Sequence, residues 1–217
     1  IIDIFVKEED FFYINDILHF KISEKESLSF DFLKGRLFNR LKRIEHESLI
    51  KKAIGKNKAK LKIFDATAGS LIDTIIFLKL GHEVVACEQS KILYRLLDDA
   101  ISRAKNEYNF FENLSFINSD SAKIIYSHLD SDIFYFDPMF QETKRGLKRS
   151  GTLVKIDNVL KLEKLSDTSE NVFERLLKIE YKKIIVKRPI KSYPLNAKIN
   201  YQVKGKTIRY DIFYKNK

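Results

Sequence analysis

The sequence predicts an α/β fold with a mostly parallel sheet, a C-terminal antiparallel hairpin and a small N-terminal β element. Two observations carry this prediction. Short apolar and β-branched runs alternate with helical patterns between residues 61 and 189, which is typical of strands joined by helices in a parallel sheet. Two alternating runs then flank Gly205, the pattern of a hairpin with antiparallel strands.

Composition indicates a globular chain with one main domain. The 217 residues are 44% hydrophobic and 32% charged, which argues against a disordered chain. No apolar run approaches membrane-spanning length and the first ten residues lack the basic region of a signal peptide, so we expect a soluble, cytoplasmic protein with no membrane partner. The single cysteine, Cys87, excludes an internal disulfide and a cysteine-based zinc site, and four scattered histidines predict no metal.

The positive charge is concentrated near the C-terminus. The chain has 40 basic and 30 acidic residues, of which eleven and one lie in residues 181–217, leaving 29 of each sign before them. A basic excess in one segment suggests a polyanion partner such as a phosphate backbone. A generic solvated face explains the charge nearly as well.

The N-terminal region divides into two parts. Residues 1–34 contain short alternating runs separated by polar turns, which predict a β element ahead of a main domain of residues 35–217. Residues 35–54 place apolar side chains at helical spacing and predict one helix. Four cations lie largely off its apolar face: Arg36, Arg40, Lys42 and Arg43. They could contact RNA, although such a face is more often only solvated.

Residues 61–88 form the clearest strand–helix–strand unit. We predict a strand at 61–65, a turn at 68–71, a helix at 72–80 and a second strand at 83–87. Small residues around Gly69 let the backbone approach a ligand at the helix N-terminus, and Glu88 is placed to hold the hydroxyls of a ribose. Because Leu71 stands where a second glycine would be, the dinucleotide pattern is incomplete and the kind of nucleoside ligand stays open.

Two more strands are predicted to end in polar residues. Residues 113–118 form the third strand, and Asp120 behind it is suited to an adenine amine or, equally, to a helix N-cap. Residues 133–136 form the fourth, which Pro138 terminates. Asp137 then sits at a strand's carboxyl end, where open α/β sheets bind ligands. Taken alone, an ordinary strand-to-loop turn explains this stretch better.

The remaining elements complete the sheet. Residues 142–155 carry four cations within the six residues 144–149 and few apolar anchors, which predicts a mobile basic loop beside the site. Residues 166–180 predict a helix, 182–189 a fifth strand, and 199–215 the closing hairpin. This order is the layout of a Rossmann-like class I methyltransferase sheet.

At this point the chain resembles a known family, the ribosomal RNA small-subunit methyltransferase J family. The resemblance is carried by FDFLKGRLFNRLKR, DATAGSLIDTIIFLKLGHEV, LLDDAISRA, DIFYFDPMF, IIVKRP and RYDIFY, which span most of the chain. It implies an enzyme that methylates a guanine N2 in 16S rRNA with S-adenosylmethionine as cofactor, and 16S rRNA or the small subunit as partner. The chain departs from the family pattern at Leu71 and Ile72 (usually Gly-Arg), Gln89 (usually Arg) and Gln141 (usually Pro).

We therefore assign candidate residues to three roles. The catalytic candidates are Asp137, Pro138 and Phe140, with Phe140 stacking on a flipped guanine. The resemblance and the strand ends together predict cofactor contacts at Asp65, Gly69, Ile72, Asp73, Glu88, Gln89, Asp120, Ser121 and Asp137. Basic residues near the site predict RNA contacts at Lys144, Arg145, Lys148, Arg149, Lys187 and Arg188. Two alternatives stay open: an amino-methyltransferase acting on DNA adenine or protein glutamine, and a non-catalytic nucleotide- or RNA-binding module.

Overall fold

The computed structural model describes residues 7–55, 59–138, 151–165, 169–192 and 195–215. A seven-stranded sheet lies at its centre, and a three-stranded antiparallel sheet precedes it. The strands are β1 (Phe11–Ile14), β2 (Ile17–Ser23), β3 (Glu26–Leu28), β4 (Lys62–Asp65), β5 (Glu83–Glu88), β6 (Leu114–Asn118), β7 (Ile133–Phe136), β8 (Lys183–Pro189), β9 (Tyr201–Lys204) and β10 (Ile208–Tyr214).

The central sheet has the predicted architecture. Its strand order is β6-β5-β4-β7-β8-β10-β9. The first five strands in that order are parallel, while β10 runs antiparallel to both β8 and β9. The predicted mostly parallel sheet with a C-terminal antiparallel hairpin is therefore confirmed.

Seven α-helices connect and cover the described strands. They are α1 (Gly35–Leu41), α2 (Ser48–Ile54), α3 (Ile72–Lys79), α4 (Lys91–Ala104), α5 (Ser121–Ile124), α6 (Gly151–Leu162) and α7 (Ser169–Lys178). None of these helices is long and apolar enough to cross a membrane.

The prediction of one continuous helix over residues 35–54 is wrong. The chain leaves the helix at Arg43 (φ −118°, ψ 40°), makes one 3₁₀ turn at Ile44–His46 and starts α2 after Glu47. The Glu47 carboxylate turns back to bind the guanidinium of Arg40, which stabilises the break. The apolar spacing runs on through both helices, so periodicity alone does not reveal the corner.

The predicted basic loop over 142–155 is also wrong at its end, because Gly151–Leu162 forms α6. Ile156 and Val159 are buried three residues apart, as one face of a helix requires. The Lys155 ammonium donates to the Ser27 carbonyl at 2.8 Å and attaches α6 to β3. Residues 139–150 lie outside the described ranges.

Both faces of the central sheet are buried. Ile63, Tyr135 and Ile185 point into one apolar cluster, whereas their neighbours Phe64 and Phe134 point into another. This alternation follows from the two-residue period of a strand. Buried on both sides, these strands read as continuous apolar runs, as parallel strands usually do.

The N-terminal sheet packs on the same core. Leu18 and Phe20 of β2 and Leu28 of β3 belong to the cluster that contains Ile63. The Leu18 amide also donates to Asp99 of α4 at 3.3 Å. The predicted β element therefore shares its core with the main sheet, while the boundary at residue 34 stays a prediction.

Candidate active site

The polar residues predicted to form the site meet at the carboxyl edge of the parallel strands. Asp65 ends β4, Glu88 ends β5 and Asp137 follows β7. These strands are neighbours or next neighbours in the sheet. The edge therefore gathers three carboxylates, at the place where open α/β sheets bind ligands.

The turn after β4 is organised by Asp65. Its carboxylate accepts the amide N–H of Thr67 at 3.0 Å and the hydroxyl of Thr74 at 2.5 Å. Burial raises the pKa of Asp65 to about 7, against the opposing effect of these hydrogen bonds. The structure thus gives Asp65 a role in shaping the turn, and direct contact with a cofactor stays a prediction.

Glu88 connects this turn to the start of α4. Its two carboxylate oxygens accept the amide N–H groups of Gly69 at 3.1 Å and Ser90 at 2.8 Å. Burial raises the pKa of Glu88 to about 7. Because each carboxylate oxygen has a second acceptor site, Glu88 retains the capacity to bind hydroxyl groups while holding the loop.

Leu71 adopts a conformation that usually belongs to glycine. Its φ is 59° and its ψ 10°, in the left-handed region, and its side chain is fully buried. Such a backbone costs a residue other than glycine roughly 1–2 kcal/mol, which burial of the leucine side chain offsets. Leu71 thus adopts a left-handed backbone conformation at the position where the second glycine of the pattern is missing.

The remaining predicted cofactor residues surround the same edge. Asp120 caps α5 by accepting the Ala122 amide at 3.0 Å, and in the described ranges its other oxygen accepts nothing. Ser121 is buried and Gln89 half-buried, whereas Ile72 is exposed at the start of α3. The N-cap interpretation of Asp120 is correct, and it leaves one oxygen for a ligand.

On the other side of the turn, Lys187 of β8 joins two carboxylates. Its ammonium donates to Asp73 and to Asp137, each at 2.7 Å. The Tyr135 hydroxyl donates to the same Asp73 oxygen at 2.5 Å. The Asp137 amide donates to the Thr67 hydroxyl at 2.6 Å, so the loop after β7 is tied to the turn after β4.

This network controls the charge of both carboxylates. Burial raises the pKa of Asp137 to about 6, although the charge of Lys187 opposes the rise. Burial also acts on Asp73, but there the attraction of Lys187 outweighs it and the pKa lies below its ordinary value. The Asp137 side chain remains about one-third exposed, at 35%, and is open to a ligand.

Two predicted RNA contacts are placed differently from the prediction. Lys187 is committed to the two carboxylates, with 22% of its side chain exposed. Arg188 is buried, with Nη1 3.8 Å from the Asp211 carboxylate. Neither side chain lies on an open surface, so the structure contradicts a phosphate contact by either. Five further candidates lie outside the described residues: Phe140, Lys144, Arg145, Lys148 and Arg149.

Sequence reasoning missed the roles of Lys187, Tyr135 and Thr67. A usable signal was Asp73, the only carboxylate in a helix of mostly apolar residues. Such a group is rarely buried without a paired cation, and a lysine near the end of a neighbouring strand was a candidate for that cation.

Among the described residues, no group of three or more His, Cys, Asp or Glu side chains is arranged to hold a metal.

Comparisons with known proteins agree with this fold. The family model described as "Putative SAM-dependent methyltransferase" matches residues 11–215. The ribosomal RNA small subunit methyltransferase J of Francisella tularensis subsp. novicida is 34% identical, covering 96% of this chain and 89% of its own length. The protein of the same name from Bdellovibrio bacteriovorus is 29% identical, covering 94% and 80%.

Solved structures support the fold independently. The crystal structure of a SAM-dependent methyltransferase from Neisseria gonorrhoeae has a TM-score of 0.67 at 24% identity, covering 92% of this chain and 79% of that chain. The fold and the matching family model together define a class I methyltransferase that uses S-adenosylmethionine. Within that class, the chain belongs to the ribosomal RNA small subunit methyltransferase J family.

Proposed function

We propose that this protein transfers a methyl group from S-adenosylmethionine to the exocyclic N2 amine of a guanine in 16S rRNA. One observation carries the chemistry. Lys187 engages one Asp137 oxygen at 2.7 Å, while in the described part of the chain the other oxygen accepts no hydrogen bond. The partly exposed Asp137 thus offers a free acceptor to an amine at the end of β7. The RNA substrate is inferred from the names of the relatives.

The residues at the carboxyl edge suit the cofactor. Glu88 would accept the ribose hydroxyls, and the free oxygen of Asp120 would accept the adenine amine. The space beside the Gly69 backbone is open. A Cβ added there would have one heavy atom within 4 Å, the Thr67 carbonyl oxygen at 3.8 Å, so a ligand can approach that backbone. Asp73, Ile72, Gln89 and Ser121 complete the proposed binding surface. When bound, S-adenosylmethionine supplies an electrophilic methyl group on its sulfonium sulfur.

Asp137 and Pro138 act on the acceptor amine. The lone pair of guanine N2 is delocalised into the ring, so the amine is a poor nucleophile. The free Asp137 oxygen and the Pro138 carbonyl would each accept one N–H, drawing the nitrogen toward tetrahedral geometry and directing its lone pair at the methyl group. Positioning of this kind can contribute roughly 7–11 kcal/mol. As the N–C bond forms and the C–S bond breaks, the amine releases a proton, which Asp137 can accept because its pKa is about 6.

Residues after Pro138 would complete the substrate site. We propose that Phe140 stacks on the flipped guanine and that Lys144, Arg145, Lys148 and Arg149 bind nearby phosphates. A ribosomal substrate also implies that the reaction takes place in the cytoplasm.

Two assays test the proposed function. Mass mapping of 16S rRNA from a strain lacking this gene should show one guanine that has lost a methyl group. Purified protein with labelled cofactor should methylate small subunits or naked 16S rRNA, whereas labelling of DNA or protein instead would establish one of the alternative amino-methyltransferases. Thermal stabilisation by S-adenosylmethionine and not by NAD is expected, and its absence would favour a non-catalytic module.

Asp137→Ala tests the catalytic assignment. We expect methylation to be abolished while the fold survives, because Lys187 keeps Asp73 as its partner. Label incorporation and the melting temperature measure the two effects, and retained methylation would rule out the mechanism.

A further inference from the structure

An exposed basic surface surrounds α1. Between residues 32 and 44 the chain holds five cations and no acid. Four of them are exposed and are named here the α1 basic surface: Lys34, Arg36, Lys42 and Arg43. The fifth, Arg40, is half-buried.

Arg40 attaches this surface to the active site. Its guanidinium binds Glu47 and places Nη1 3.9 Å from the Asp73 carboxylate. Asp73 shares the Lys187 ammonium with Asp137. The last turn of α1 is therefore separated from the catalytic carboxylate only by Asp73 and Lys187.

The α1 basic surface is not neutralised within the described protein. Lys42 lies over the Phe38 ring, 4.2 Å from its centroid. Lys34, Arg36 and Arg43 form no ion pair with any described residue. Clustered like charges of this kind repel one another, and an anionic partner relieves that repulsion.

The C-terminal segment behaves differently, although it carries the net charge. Six of its eleven cations bind carboxylates or backbone carbonyls of the protein itself: Lys182, Lys183, Lys187, Arg188, Arg209 and Lys215. More than half of the cations in the predicted basic tail are thus paired with groups of the protein itself. Within the described residues, α1 carries a cluster of exposed cations, three of which have no ion-pair partner, and Arg40 connects this helix to the acceptor site.

We propose that the α1 basic surface binds the phosphate backbone of the RNA substrate next to the guanine that enters the site. This inference rests on the proposed function for the identity of the polyanion. Arg36 and Arg43 contribute charge and hydrogen bonds to phosphates, which fix the position of the RNA without reading its sequence. The bases are then selected at the Asp137 pocket.

The test compares two double variants that each remove two positive charges. Arg36→Gln/Arg43→Gln removes them from α1. Lys79→Gln/Lys105→Gln removes them from exposed positions at the C-terminal ends of α3 and α4, at the opposite edge of the sheet. Both pairs are exposed, so folding should be nearly unaffected.

Binding of a 16S rRNA fragment by the full chain is measured by fluorescence anisotropy at several salt concentrations. We expect the α1 variant to bind about tenfold more weakly, with the salt slope reduced by about 1.4 on a log–log plot for two lost contacts to single-stranded RNA. The control variant and Arg36→Lys/Arg43→Lys should bind like the wild type. Equal weakening of the α1 and control variants, or no weakening of either, would overturn the proposal.

The binding assay separates this proposal from the proposed function. Wild-type protein that binds RNA through α1 but transfers no methyl group to it would overturn the function and leave the surface in place. Methylation of 16S rRNA with unchanged RNA affinity in the α1 variant would overturn the surface alone. S-adenosylmethionine affinity should be the same in all variants, because none of the substituted residues lies at the cofactor edge.

Discussion

At the residue scale, Lys187 is the group that allows two neighbouring carboxylates, the buried Asp73 and the partly exposed Asp137, to be ionised together. Asp73 and Asp137 would repel each other and resist ionisation without a cation between them. Other groups also face Asp137. The Asp73 carboxylate of α3 raises the pKa of Asp137, and Arg40 of α1 lies 3.9 Å from Asp73. The Tyr210 hydroxyl of β10 interacts electrostatically with both carboxylates. Only Lys187 donates hydrogen bonds to both carboxylates among the described residues.

Lys187→Met should therefore shift the pH dependence of methylation. Loss of the positive charge raises the pKa of Asp137 above its present value of about 6, by about 1–3 pH units. If the ionised carboxylate orients the amine, the acidic limb of the kcat profile moves to higher pH and activity recovers in alkaline buffer.

The measurement is kcat from pH 5.5 to 9.5 at saturating substrates. Lys187→Arg keeps the charge and should restore most of the profile. A uniform loss at every pH, with no displacement of the limb, would show that Lys187 has only a structural role.

Substitution of Leu71 tests whether the loop needs a glycine at this position. Leu71→Gly relieves the left-handed strain but removes a fully buried side chain, a loss that typically costs about 2–5 kcal/mol. We expect a lower melting temperature and an S-adenosylmethionine affinity within a few-fold of the wild type, because the backbone already has the glycine-like conformation (φ 59°).

Ile72→Ala is the control for Leu71→Gly, since Ile72 is exposed and its truncation should change stability little. Calorimetry and cofactor titration give both quantities. A large gain in cofactor affinity on restoring glycine would show that leucine distorts the loop.

At the element scale, the residue after α6 holds the start of α4. The Glu163 carboxylate accepts the amides of Lys91 at 2.9 Å and Ile92 at 3.2 Å, and it also accepts the Ser90 hydroxyl. These amides belong to the first turn of α4, where N–H groups lack partners within the helix and attract anions. Ser90 in turn donates its amide to Glu88, so α6 is connected to the cofactor edge.

Glu163→Ala should weaken both α4 and cofactor binding. The side chain of Ser90 still caps the helix through the Leu93 amide at 3.0 Å, so we expect a loss of only about 1 kcal/mol in the free energy of unfolding. The affinity for S-adenosylmethionine should fall with it, because the Ser90–Glu88 contact loosens.

Glu107→Ala, which removes an exposed carboxylate from the turn after α4, is the matched control. Denaturant unfolding and isothermal titration report the two effects. Unchanged cofactor affinity in Glu163→Ala would separate α6 from the cofactor site.

At the scale of the whole molecule, the site makes the cofactor-free protein less stable at high pH. The pKa values of Asp65 and Glu88 are both raised to about 7 in the folded protein, against about 4 in an unfolded chain. Between these values the folded state binds more protons, so stability falls as pH rises. We expect a loss on the order of 5 kcal/mol in the free energy of unfolding between pH 5 and pH 8, about half from each carboxylate.

Glu88→Gln should reduce this loss, because the substituted group cannot ionise. Glu83→Gln, an exposed change at the other end of β5, should leave the pH dependence as it is. Denaturant unfolding at several pH values gives the comparison. Identical pH dependence in the Glu88→Gln variant and the wild type would show that Glu88 titrates normally in the folded protein.

The sequence by itself determined the mostly parallel sheet, the order of its strands along the chain, and the acids at the strand ends. These features are local: buried strands are continuous apolar runs, and Pro138 stops β7 wherever the strand lies. The family resemblance added the reaction and the cofactor, and the comparisons bear out the family.

Only the tertiary structure decided which charges work together. Lys187 is 50 residues from Asp137 and 114 from Asp73, and nothing in the local pattern distinguishes it from a solvated lysine. The break between α1 and α2 depends on an ion pair, and α6 depends on its contact with β3. The partners of these basic side chains come from elements that are distant in sequence, which is why pairing of more than half of the tail's cations within the protein was not predicted.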